Sequence, residues 1–141
     1  MDIVVNLLFW LHFLGLAMGL GGGIALGLTG PKLQTAKGED LAFVWQMETT
    51  FSRVATTGLA TLLVTGPLMV WLRFGGFAGF SWWFGLKMCF VALAVVGAAL
   101  HQWAGHRYRA GRGGYSLMAF SGRLAGGSMI AAVLCAVFAF N

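Results

Sequence analysis

A chain of 141 residues that is 59% hydrophobic and only 9% charged lies far from the roughly one-quarter charged content of soluble domains. Its net charge of +5 falls between apolar runs, a distribution that follows membrane topology and argues against a nucleic-acid partner. Cys89 and Cys135 both lie inside apolar runs, so neither a disulfide framework nor zinc spacing is present.

Four apolar runs, at 3–28, 49–72, 82–103 and 124–140, are each long enough to cross a hydrocarbon core of about 30 Å at about 1.5 Å per residue. They predict an all-α fold in one domain, 1–141: an integral membrane bundle of four antiparallel helices. Asp2 stands where a signal peptide carries basic residues and no A-x-A-like exit follows, so the first run is expected to stay as a helix. Within it Gly15, Gly19, Gly23 and Gly27 are spaced four apart and share a slowly drifting face with His12, where close packing is expected. "GLGGG" resembles a phosphate loop only superficially, because no strand precedes it.

Gly30-Pro31, Gly75-Gly76 and Gly113-Gly114 punctuate the connections. Asp40 is a candidate cap for a second helix that starts in the first loop and projects beyond the bilayer, and Pro67 predicts a local kink near its outer end. Lys32 and Lys37 follow the first run, and Arg107, Arg109, Arg112 and Arg123 stand between the third run and the start of the fourth, whereas 73–81 holds only Arg73. The basic loops are therefore expected in the cytoplasm and both termini outside an inner (plasma) membrane, with Phe74, Phe77, Phe80, Trp82 and Trp83 forming an outer aromatic belt.

The ionisable residues within the spans are His12, Arg53, Lys87 and His101, with Glu48 and Arg123 at the edges, and each needs a partner or water. Counted from the outer helix ends, His12 lies about 14 Å deep, Lys87 about 8 Å and His101 about 28 Å. His12 and Lys87 are thus compatible members of one site, whereas a His12–His101 pair of haem ligands misses by about 14 Å. Arg53, His101 and Arg123 share the cytoplasmic depth and suit carboxylates such as porphyrin propionates. Each has a plainer alternative: a packing histidine at 12, a snorkelling Lys87, interfacial anchors at Arg53 and His101. No nucleophile, base and orienting group can be assembled.

The stretches "LHFLGLAMGLGG", "GPKL", "METTFSRVATTG" and "WWFGLKMCFVALAVVGAALHQWAGHRYRAG" resemble the HemJ-type membrane protoporphyrinogen oxidases and related small four-helix proteins, including CopD-like membrane domains. The resemblance implies haem b as cofactor and matches His12 and Lys87 to the family's first-helix histidine and third-helix lysine. Met47-Glu48 resembles the family's methionine and acidic pair. Lys32 stands after Pro31 where the family has arginine, and "LAGGSM" replaces the fourth helix's asparagine, acidic residue and proline. A haem b protein in electron transfer or porphyrin-linked oxidation is therefore expected. In it His12 and Lys87 act at the iron, Arg53, His101 and Arg123 at anionic groups, and Gly15 and Gly19 at the flat face. The alternative is a non-redox role, in copper handling, in transport or as an accessory subunit, with Met18, Met69, Met88 and Met129 as soft ligands. The partners expected are the lipid bilayer and a second copy of the chain across the glycine face.

Overall fold

The computed structural model describes residues 2–75 and 81–139, and these are helical apart from short connections. Helix α1 spans Asp2–Thr29, α2 Gly38–Phe74, α3 Trp82–Arg109 and α4 Tyr115–Ala139, with a 3₁₀ turn at Gly30–Gln34 between the first two. All four helices are long and apolar enough to cross a membrane. Side chains such as Phe13 (65% exposed), Val64 (62%) and Val137 (61%) point outward, so the outer surface is hydrocarbon where a water-soluble protein places charge.

The helix ends follow local backbone chemistry rather than the limits of the apolar runs. α2 starts at Gly38, ahead of the apolar run at 49 and of Asp40, because Gly38 takes φ +58 and Glu39 and Asp40 favour the positive end of the helix dipole. It runs through Pro67 and stops where Gly75, at φ 70, returns its N–H to the Val70 carbonyl. α4 starts at Tyr115, ahead of the expected 124, which places Arg123 inside the helix. Of the expected aromatic belt, Trp82 (77%) and Trp83 (42%) are exposed, while Phe77 and Phe80 lie outside the described residues, as does the side chain of Phe74.

α1 packs along α2 and α3 along α4, and the two hairpins meet chiefly through α1 and α4; α2 and α3 touch only sparsely. Glycine sets the approach within each hairpin. A Cβ on Gly15 would stand 3.0 Å from the Gly58 carbonyl oxygen, and one on Gly22 would stand 2.8 Å from the Ala55 nitrogen. In the second hairpin a Cβ on Gly97 would lie 2.7 Å from the Ala125 nitrogen. Gly19 faces Met129 of α4. The contact follows Gly15, Gly19 and Gly22, the true helical period, and leaves the expected stripe below that level: Gly23 and Gly27 meet no atom within 4 Å. The upper half of the glycine face is thus engaged within the chain.

At the end carrying the basic loops, Leu33, Val44, Ala104 and Met118 form a buried core, with Trp45, Tyr108 and Tyr115 packed against it. The guanidinium of Arg109 lies 5.3 Å from the Trp45 ring and that of Arg107 4.7 Å from Trp103, so both charges sit on aromatic faces at the helix end.

Candidate functional site

Helix α2 carries polar side chains at two levels, and each level receives a histidine from another helix. Toward the end away from the basic loops, His12 of α1 meets Thr65 of α2, with Nδ1 2.8 Å from Oγ1. The Thr65 hydroxyl gives its single hydrogen to the Thr61 carbonyl at 2.7 Å, so its oxygen accepts from His12 Nδ1–H. The imidazole is thereby fixed in the Nδ1–H tautomer, and Nε2 keeps its lone pair. Gly66 leaves room for the ring, because a Cβ there would stand 3.5 Å from His12 Cε1. Lys87 of α3 is half-buried, with its ammonium 5.9 Å from the centre of the Phe84 ring.

Near the other end, Glu48 of α2 is 3% exposed and His101 of α3 is 9% exposed, and their Oε1 and Nε2 atoms lie 3.4 Å apart. His101 Nδ1 donates to the Met118 carbonyl at 2.9 Å, which settles the tautomer here too: a carbonyl only accepts, so Nδ1 holds a hydrogen. Glu48 Oε2 is 3.1 Å from the Thr29 hydroxyl of α1, so this one carboxyl ties α1, α2 and α3 together. Oε1 has no hydrogen-bond partner beyond that long contact.

The Glu48–His101 pair separates two cavities. One, of about 310 Å³, is walled by Gly23 and Gly27 of α1 and by Gly126 and Gly127 of α4, with Arg123 and Tyr115 along it. The other, of about 380 Å³, lies on the α2–α3 side and is lined by Arg53, Thr49, Gln102, His106 and Arg109. Glu48, Ser52, Thr56, His101 and Met118 border both. Gln102 Nε2 donates to Thr56 Oγ1 at 2.8 Å and bridges the sparse α2–α3 seam.

Against the sequence expectations, His12 and His101 go to separate partners. Arg53 and Arg123, expected to act together on carboxylates, are exposed on different cavities, and His101 is occupied by a carboxyl of the chain itself. Gly15 and Gly19 pack against α2 and Met129. Sequence reasoning left Thr65 out and put Glu48 at the edge of a span. Glu48 is one of only four acidic residues in the chain, and its place beside an apolar run was the available signal. Among the described residues no group of three or more His, Cys, Asp or Glu side chains is placed to hold a metal ion. Compared with family models, curated proteins and solved structures, the chain matches none.

Proposed function

We propose that the protein is a haem b-binding integral membrane protein resembling the HemJ-type oxidoreductases, an antiparallel four-helix bundle acting in electron transfer or porphyrin-linked oxidation. One observation carries the reading: Thr65 holds His12 by Nδ1 and leaves the Nε2 lone pair available within the apolar span. Such a hydrogen bond on the far nitrogen is the usual support of a ligating histidine, fixing ring orientation and raising basicity. When bound, haem supplies one-electron chemistry at a potential set by its axial ligands and by the low polarity around it. His12 would hold the iron, and Lys87 would act as a second ligand or as a nearby charge. The residues present supply one imidazole, His12, which lines neither of the two cavities. They do not assemble the expected set for anionic groups, because Arg53 and Arg123 face separate cavities.

The test is the absorption spectrum of detergent-purified protein, oxidised and dithionite-reduced, after expression with ample haem. A Soret band that His12→Ala removes, and that Thr65→Val weakens or shifts, is the expected result. A colourless wild type, a band indifferent to His12→Ala, or stoichiometric Cu(I) binding by a colourless protein overturns the reading.

On the same reading the chain sits in an inner (plasma) membrane with both termini outside, since the basic residues Lys32, Lys37, Arg107, Arg109 and Arg112 gather at one end. An Arg112→Cys variant in sealed cells should resist a membrane-impermeant maleimide until the membrane is opened; immediate labelling, above the wild-type background of Cys89 and Cys135, reverses the orientation.

A further inference from the structure

The cavity between α2 and α3 gathers cations that the His12 level does not use. Arg53 of α2 and His106 and Arg109 of α3 line it, and all three side chains are exposed, so their N–H groups are within reach of a ligand. The Trp45 ring, 5.3 Å from the Arg109 guanidinium, holds that charge at the wall. Among the described residues neither Arg53 nor Arg109 pairs with a carboxylate. The other polar groups on the wall do not answer these charges. Thr49 and Thr56 give their hydroxyl hydrogens to the Trp45 and Ser52 carbonyls, and Gln102 spends one amide hydrogen on Thr56 and keeps another. Glu48 borders the cavity but is 3% exposed, with Oε2 bonded to Thr29 and Oε1 closed off beside His101. The cavity is thus rich in open donors and poor in open acceptors, which is the inventory of an anion site. Guanidinium forks suit an anion that offers several oxygens at once.

We propose that this cavity binds the phosphate of an anionic phospholipid, with Arg53 holding it from α2 and Arg109 from α3. The phosphate chemistry is shared with free phosphate; the position selects the lipid. Arg53 lies just inside the apolar run that begins at 49, and Arg109 just beyond the one that ends at 103, so the two bracket the level where hydrocarbon gives way to headgroups. α2 and α3 touch only sparsely, so the cavity lies in a seam that the chain's own side chains leave unfilled. Its volume of about 380 Å³ accepts more than a single small ion. A phosphate held by both arginines joins two helices that are otherwise bridged there by the Gln102–Thr56 bond. The proposal rests on the chain lying in a bilayer, and on neither haem nor a particular orientation.

Detergent-purified protein is titrated with phosphatidylglycerol and, in parallel, with phosphatidylcholine, and bound lipid is counted by native mass spectrometry. One phosphatidylglycerol bound saturably is expected, with phosphatidylcholine held about tenfold more weakly. Arg53→Gln and Arg109→Gln should each lower the phosphatidylglycerol affinity about fivefold, and the double variant should lower it by about the product of the two. Arg112→Gln removes the same charge from the same end of the bundle but outside the cavity, and should leave the affinity within about twofold. Arg53 makes no side-chain hydrogen bond or ion pair with the described residues, so Arg53→Gln removes a lipid contact without removing a support of the fold. Equal losses in Arg112→Gln and Arg53→Gln overturn the proposal, because only a general attraction to the basic end would remain. So does the absence of a preference over phosphatidylcholine. Displacement of the lipid by inorganic phosphate overturns it in favour of a soluble anion, and release of co-purified haem by Arg53→Gln overturns it in favour of porphyrin propionates. Failure of the His12 reading shows instead in the His12→Ala spectrum, so the two fail separately.

Discussion

Gly58→Val is expected to separate α1 from α2 and to prevent recovery of folded protein from the membrane. A Cβ on Gly58 would meet the backbone nitrogen of Gly19, the carbonyl oxygen of Gly15 at 2.6 Å and the Met18 Cβ at 2.9 Å. Two of these three neighbours are main-chain atoms of a facing helix, so no rotamer change relieves the clash. Replacing a mid-helix glycine gains about 0.4 kcal/mol in intrinsic propensity at most. Overpacking of a rigid contact costs about 1–3 kcal/mol or more, and the second carbon branch of valine puts this case at the upper end. The clash wins. Thermal unfolding in detergent, followed by circular dichroism, should show a large fall in Tm or no cooperative transition for Gly58→Val, against little change for Gly21→Val. An unchanged Tm would mean that the hairpin contact at Gly15, Gly19 and Gly58 does not govern assembly.

The four helices were legible because a membrane span must satisfy its backbone internally, and an apolar run long enough to cross states that requirement in composition alone. Their ends were not. An apolar run measures the stretch that tolerates hydrocarbon, whereas α2 and α4 extend beyond it to Gly38 and Tyr115, where polar residues still favour helix in water. The glycine stripe was half legible: a spacing of four tracks a helix face for about two turns before the period of about 3.6 carries it away, which is why Gly22 takes the contact and a Cβ on Gly23 would meet open space. Depth counting found His12 and Lys87 compatible because both were compared as ligands. Applied between acids and bases, the same counting pairs Glu48 with His101, since both lie at the ends of their runs that carry the basic loops. The two are far apart in sequence, and only the register of α2 beside α3 brings Oε1 and Nε2 to 3.4 Å.

That pair yields an asymmetric expectation: His101→Leu should destabilise the protein far more than Glu48→Leu, and the double variant should recover most of the loss. Removing the imidazole orphans little on its own side, because the Ser121 hydroxyl, whose hydrogen is shared between the Leu117 carbonyl at 2.8 Å and the Met118 carbonyl at 3.0 Å, still lies against Met118. It leaves Glu48, 3% exposed, with an Oε1 that has nothing else to bond. An uncompensated buried member of an ion pair costs about 3–5 kcal/mol. Removing the carboxyl is gentler: His101 keeps its Nδ1–H bond to Met118, the Thr29 hydroxyl keeps the Ala25 carbonyl at 3.0 Å, and only Nε2 of the ring loses its neighbour. An unsatisfied neutral group costs about 1–3 kcal/mol. In the double variant nothing polar remains unpaired, since two leucines face each other and Thr29 and Met118 hold their other bonds. Unfolding of the wild type, both single variants and the double variant is followed by titration with sodium dodecyl sulfate in mixed micelles. A double-variant loss equal to the sum of the single losses would show that Glu48 and His101 act independently.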